Sequence, residues 1–238
     1  MPRASVPTTK RLKFRRGLPF IFLAVAVVSL LLAAVEAVRQ HREDVYVRSV
    51  SEEVLRETPG SDPVSRVAAL RDFVRGRVRN QNFSARNRPF LRDTAAETLR
   101  SGKGRCGEAT RVFVNLAAAA GIRAQRLYLE GSRPHVVAVV SAEDGSKLLV
   151  DSFEQPYLPE IEPLEGLARH KEFTSYSTFG WRRSRALRAL PAHEVSLGPL
   201  NYLLENPHAL LSFVWLLLAA SMLVLAVAFK RRLSRVGL

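Results

Sequence analysis

Three residues in one order could do chemistry together. Cys106 opens a helical pattern, His135 enters an apolar strand pattern, and Asp151 closes the next strand pattern. A thiol attacks as its thiolate, and a free thiol with a pKa of about 8.5 holds only a small thiolate fraction at neutral pH. A helix N-terminus and a neighbouring imidazolium both stabilise the anion, and the imidazolium can then protonate a leaving group. A carboxylate on the other ring nitrogen fixes the tautomer. Read as a set, the three predict Cys106 as nucleophile, His135 as acid and base, and Asp151 as the residue that orients the imidazole. Taken singly, each has a plainer reading: a small buried residue on a helix stripe, a satisfied strand histidine, a carboxylate near a turn. The remaining histidines, His41, His170, His193 and His208, lie near apolar segments or in linkers without matched partners and read as structural.

The elements that must position these residues follow from periodicity. Gly102-Lys-Gly-Arg is a tight approach to a helix over about Cys106–Ala120, whose apolar stripe is Ala109, Val112, Phe113, Leu116, Ala117 and Ala120, and Gly121 ends it. Glu108 in its first turn complements the helix dipole, and Arg105 reads as a solvated residue beside the thiol. Three strand-like runs come next: Arg123–Glu130, Pro134–Val140 and Lys147–Phe153, the last two joined by Ala142-Glu-Asp-Gly145. The loop length decides the site. A two-residue loop, Asp144-Gly145, sets Asp151 opposite Ala138, on the face away from His135. A three-residue loop with Gly145 left-handed sets it opposite Val137, diagonal to His135 on one face, and a five-residue loop sets it directly opposite. The Ala-Glu-Asp-Gly sequence favours three. Upstream, Val47, Val50 and Val54 keep a helical rhythm, Ser61 or Asp62 caps a helix from Pro63 to about Asn80, and Asn80–Arg92 reads as a loop. Thr94 and Glu97 form a capping-box pattern. Helices followed by consecutive strands indicate an α+β domain with an antiparallel sheet.

The ends of the chain differ in kind. Residues Leu18 to Val35 carry no charge, and Pro207 to Phe229 are polar only at His208, Ser212 and Ser221. A bilayer core takes roughly 20 apolar helical residues, so both stretches read as transmembrane helices. Asn206–Pro207 suits an N-cap followed by a first-turn proline. Arg3, Lys10, Arg11, Lys13, Arg15 and Arg16 precede the first stretch, and Lys230, Arg231, Arg232 and Arg235 follow the second. By the bias of basic residues to the cytoplasm, both termini are expected inside a cell (inner or plasma) membrane and the central domain outside it, periplasmic or extracellular. Val35-Glu36-Ala37 also admits cleavage as a signal peptide, although the long apolar core and Glu36 favour a retained signal-anchor.

The formal net charge of +14 is largely these flanking cations, so nucleic acid is not an expected partner. A single cysteine excludes an intrachain disulfide and multi-cysteine metal clusters, and no metal or cofactor is implied. From Gln155 to Glu205 the patterns weaken, and Trp181 with Arg182 and Arg183 suits either a headgroup contact or a solvated linker. The expected layout is a basic tail 1–17, a span 18–37, a juxtamembrane segment 38–60, a domain 61–158, a linker and domain edge 159–206, a span 207–229 and a basic tail 230–238.

Leu99-Arg-Ser-Gly-Lys-Gly-Arg-Cys-Gly-Glu-Ala-Thr110, Leu116 to Ala124 (LAAAAGIRA), His135-Val-Val-Ala-Val and Leu149-Val-Asp-Ser-Phe153 together resemble the transglutaminase-like superfamily of papain-related fold, over about residues 65–155. The resemblance implies a helix with an N-terminal cysteine packed on an antiparallel sheet, and Cys106, His135 and Asp151 in the roles given above. It also implies an oxyanion hole that uses the Cys106 backbone N–H, with a second donor near Gln81 or Asn82. Two departures, Val137 where many members have Trp and Ser152 where many have Pro, set the chain apart from the protein-crosslinking animal enzymes. The expected function is that of an outward-facing cysteine peptidase, amidase or acyltransferase working through a thioester on an exported protein, peptide or cell-envelope substrate, with hydrolysis favoured. The alternative is a catalytically quiet domain of the same fold serving as a tethered binding or assembly module.

Overall fold

The structure, a computed structural model, describes residues 8–58, 62–81, 92–142, 144–178 and 198–235. Two compact units emerge, one comprising residues 1–40 with 208–238, the other running His41–Pro207.

Helix α1 (Thr8–Arg56) is continuous through the first apolar stretch and the rhythm of Val47, Val50 and Val54, where the sequence predicts a span and a separate juxtamembrane segment. Nothing between Val35 and Val45 breaks it, since the charged residues there are ordinary helix formers. Helix α2 (Pro63–Arg77) starts as expected, with the Asp62 side chain accepting from Ser65 N and proline in the first turn. It stops three residues earlier than expected because Arg79–Asn80 (β1) pairs in parallel with Lys103–Gly104 (β2). Between them α3 (Ala95–Ser101) carries the Thr94/Glu97 capping box and ends on left-handed Gly102.

Helix α4 (Cys106–Ala119) begins at the cysteine. It packs on the sheet formed by β3 (Ala124–Gly131), β4 (His135–Ser141), β5 (Lys147–Val150), β6 (Glu162–Pro163) and β7 (Phe173–Ser177), in spatial order β6-β5-β4-β3-β7 and antiparallel throughout. A short 3₁₀ turn, Leu164–Arg169, lies between β6 and β7. The fold is thus α+β, a helical layer on a curled antiparallel sheet. On the helical side, Val67, Leu70 and Val74 of α2 and Val112, Phe113 and Leu116 of α4 close on Ala138, Val140 and Val150. On the other side Leu127, Leu129, Val137, Val139 and Leu149 are covered by Leu158, Leu164, Leu167 and Phe173. Strand β7 and the 3₁₀ turn fall in the stretch where the sequence pattern weakens; at Glu172 to Ser177 alternation is short and polar, so only the pairing with β3 makes it a strand.

The end of α1 belongs to this domain as well. Ser51 Oγ donates to Leu116 O at 3.0 Å, and Thr94 Oγ1 donates to Glu43 at 2.8 Å. Helix α5 (Pro199–Glu205) docks through Asn201 Nδ2 to Ala124 O at 3.1 Å and Tyr202 OH to Asp44 at 2.7 Å. The Asn206 amide donates back to Tyr202 O at 2.9 Å, and the next helix starts at Pro207, directly after it, as the sequence predicts.

In the other unit, the apolar part of α1 and α6 (Pro207–Arg235) pair antiparallel. Both helices are long and apolar enough to cross a membrane. Phe22 and Phe229 meet at one end with ring centroids 5.5 Å apart. Towards the other, Ser212 Oγ donates to Ala33 O at 3.0 Å, Gln40 accepts from Ala209 N at 3.2 Å, and His208 Nδ1 lies 2.5 Å from a Glu36 oxygen. His208 therefore has a carboxylate partner, which the sequence does not reveal because 172 residues separate the two. His170 likewise pairs with Glu162 at 2.6 Å.

Candidate active site

Four local features bring Cys106 to the start of α4. Left-handed Gly102 ends α3, β2 pairs with β1, Gly104 is buried, and Glu108 accepts the Arg105 N–H at 3.1 Å. A Cβ at Gly104 would fall 2.8 Å from Glu108 Cβ and 3.0 Å from Val78 Cγ1, so only glycine lets the chain pass here. Cys106 itself is half-exposed, the fitting state for a thiol that meets a substrate.

The β4–β5 hairpin takes the register of a three-residue loop. Ser141 pairs Lys147, Ala138 pairs Val150, Ala142 N bonds Ser146 O at 2.9 Å, and Gly145 is left-handed at φ 84°. Asp151 accordingly follows one step beyond the Ala138–Val150 pair, opposite Val137 and diagonal to His135. Strand β5 ends at Val150 and does not continue to Phe153. The Asp151 carboxylate is the reason: it draws the following chain around itself, accepting Phe153 N at 3.0 Å, Tyr157 N at 2.8 Å and Leu158 N at 3.2 Å.

The same carboxylate meets His135. Nε2 lies 2.9 Å from Asp151 Oδ2, and both side chains are buried. That leaves Nδ1 as the ring nitrogen available to Cys106, which lies near enough to influence the charge on the imidazole. Burial alone lowers the His135 pKa, but hydrogen bonds and charge from Asp151 and Cys106 outweigh it and hold the ring up to about 9. The Tyr157 ring stands edge-on to the imidazole at 4.7 Å between centroids, with Phe153 at 5.8 Å, so the ring is walled by aromatics. Of the three sequence-predicted site residues, His135 and Asp151 are in direct contact, and Cys106 opens the helix beside them. Of the two oxyanion-donor candidates, Gln81 is exposed just after β1 and Asn82 lies outside the described residues, as do Trp181, Arg182, Arg183 and His193.

Two features of the site's surroundings escape sequence reasoning. The first is a clamp on the Asp151 loop. Arg75 of α2 donates Nε to Asp151 O at 2.9 Å, Nη2 to Leu158 O at 3.1 Å and Nη1 to Pro159 O at 3.0 Å. The only sequence signal is its place beside the apolar stripe Leu70–Val74. The second is a buried charge cluster behind α4. Arg126 Nη2 lies 2.6 Å from Glu205 Oε2, and Arg111 Nε lies 3.4 Å from the same oxygen. Burial pushes Arg111 down to about 10, and the Arg126 charge adds to this against the pull of Glu205. Burial opposes the charge on Arg126 too, but Glu205 and Tyr128 outweigh it and raise its pKa. Glu205 raises both guanidiniums; Arg126, with the shorter bond, ends raised, whereas burial and the Arg126 charge prevail at Arg111. Arg126 Nη1 would lie 3.6 Å from a Cβ at Gly107, so the cluster sits under the first turn of the Cys106 helix.

Residues 49–144 match the family model of the transglutaminase-like superfamily, a segment that takes in Cys106 and His135 and stops before Asp151. No curated protein matches the sequence significantly. Among solved structures, the chain is similar to a candidate cysteine protease from Cytophaga hutchinsonii, with a TM-score of 0.41 and 15% identity over 51% of this chain and 41% of that one. It is also similar to a candidate protease from Parabacteroides distasonis (TM-score 0.40, 13% identity, 51% of this chain and 26% of that one) and to a TGase (0.36, 18%, 52% and 34%). The chain thus spans less than half the length of each of these proteins, and the likeness concerns fold alone.

Proposed function

We propose, from the premise that the central domain belongs to the transglutaminase-like superfamily, that this chain is a membrane-anchored cysteine enzyme acting on amide or related acyl bonds outside the cytoplasm. The observation that carries the reading is a buried imidazole held by Asp151 through Nε2, with the only cysteine of the chain at the start of the helix packed on the same strand and acting on the ring's charge. In this reading the Cys106 sulfur attacks the substrate carbonyl carbon, and the carbonyl π pair moves to oxygen. The backbone N–H of Cys106, at the start of α4, faces that oxyanion. Collapse of the intermediate breaks the C–N bond as His135 Nδ1 delivers its proton to the departing amine, leaving a thioester. Neutral His135 then takes a proton from water, the hydroxide oxygen bonds the acyl carbon, and the thiolate leaves. Asp151 keeps a proton on Nε2 throughout and stabilises the imidazolium. Hydrolysis is the reading we favour over transfer to an amine, since the departures at Val137 and Ser152 set the chain apart from the crosslinking enzymes.

Two apolar helices with basic outer flanks support an inner- or plasma-membrane location with both termini cytoplasmic. Exported proteins, peptides or cell-envelope components close to the membrane are then the substrates within reach. The purified full chain, incubated with mixed peptide amides and hydroxylamine, tests the chemistry. A thioester intercepted by hydroxylamine yields hydroxamates, which are expected from wild type and absent with Cys106→Ala. No hydroxamate and no hydrolysis from either protein, over a broad peptide set, overturns the enzyme reading in favour of a quiet binding domain.

A further inference from the structure

We propose that Arg75 is a positioning residue of this site, holding the loop 151–159 in the path that aims Asp151 and Tyr157 at the His135 ring. The inference rests on the reading of Cys106 as the nucleophile.

Side chains, not strand pairing, fix the path of this loop. Strand β5 ends at Val150 and β6 begins at Glu162, so no ladder constrains the chain between them. Inside the loop, the Asp151 carboxylate gathers the N–H groups of Phe153, Tyr157 and Leu158. Outside it, one guanidinium gathers the carbonyls of Asp151, Leu158 and Pro159, which lie at the two ends of the segment. The two sets interlock: N–H groups point inward to the anion and carbonyls outward to the cation. Only arginine offers a planar fork able to bond three carbonyls at once, and bonds from a charged donor are stronger than neutral ones. Arg75 touches neither the thiol nor the imidazole ring, so it acts through the loop.

A second tie joins the loop to the cysteine side. Glu154 accepts Arg79 Nη1 at 2.9 Å and Asn80 N at 2.6 Å, and Asn80 pairs with Gly104, two residues before Cys106. Arg75 and Glu154 thus hold the loop to α2 and to β1, the elements preceding the cysteine. The charged groups about the clamp are Arg71 and Asp72 on α2, Glu160 beyond the loop and Asp151 within it.

The test is the pH profile of Cys106 alkylation by iodoacetamide in the purified full chain, for wild type, Arg75→Gln, Asp151→Asn and the double variant. Arg75→Gln is expected to slow alkylation near neutral pH by on the order of 10- to 100-fold and to move the profile towards that of a free thiol. The double variant is expected to be no slower than Asp151→Asn, because Arg75 acts through Asp151. Should Arg75→Gln fail to fold, Arg75→Lys, which keeps the charge and loses the fork, is expected to give the same shift in smaller measure. A wild-type profile in the folded variant, with only its melting temperature lowered, makes Arg75 a merely structural residue and overturns the proposal. Additive losses in the double variant overturn it also. A free-thiol profile in wild type itself overturns the reading of Cys106 as nucleophile instead, so the two failures are distinguishable.

Discussion

Replacing Asp151 by asparagine removes one charge at the centre of the site and, through the linkage of protonation to folding, changes how stability depends on pH. His135 is held at about 9 in the folded protein, against 6.5 for a free imidazole. A folded-state value above the unfolded one stabilises the fold fully below pH 6.5, and the contribution is lost as pH rises through about 9. The ring is 2% exposed, so solvent screens the interaction little. At about 1.4 kcal/mol for each pH unit, the rise is worth on the order of 3 kcal/mol. The Asp151 hydrogen bond is the largest of the raising causes, so Asp151→Asn should remove roughly 2 kcal/mol of that pH-dependent part. In a domain of this size that corresponds to roughly 4–8 °C in Tm. Differential scanning of the detergent-solubilised chain across this range measures it. The gap between wild type and Asp151→Asn should be widest at acid pH and narrow by that amount above about pH 9. Parallel curves, with a gap of constant width, would refute the argument, because they would mean that the imidazole titrates alike in both proteins.

Other consequences follow from the packing around the site. Glu205→Ala leaves two guanidiniums buried with one carboxylate fewer and should cost about 3–5 kcal/mol in a melting experiment, while Arg126→Leu with Glu205→Leu should recover part of that loss. Gly104→Ala drives a Cβ into Glu108 and Val78; about 1–3 kcal/mol of stability should be lost, together with Cys106 reactivity. Thr94→Ala removes one half of a capping box that Glu43 also engages and should lower stability by about 1 kcal/mol in the same assay. A membrane-impermeant maleimide should modify Cys106 in intact cells; modification only after permeabilisation would reverse the proposed orientation.

The sequence and the structure agree at several local signals. The capping box at Thr94, the α4 stripe that opens at Cys106, and the Ala142–Gly145 turn are all written within a few residues, and the turn carries the register that places Asp151 diagonal to His135. What could not be read arises from long-range pairing. Strand β7 has little alternation of its own and is made by β3. Arg126 and Glu205 look like surface residues in isolation, and only their meeting across 79 positions makes a buried pair. Arg75 looks like one more helix arginine, because its partners are main-chain carbonyls that carry no mark in the sequence. The strand end at Val150 has a different cause: the Asp151 carboxylate competes with the ladder for the N–H groups that follow.

The central claim is that Cys106 works as a nucleophile activated by His135, and the rate of its alkylation as a function of pH, in wild type and in His135→Ala, tests it most directly. Wild type should react readily at about pH 6, well below the range in which a free thiol ionises, and His135→Ala should lose that reactivity and respond only above about pH 8. Reaction confined to pH above about 8 in wild type, and unchanged in His135→Ala, would contradict the account.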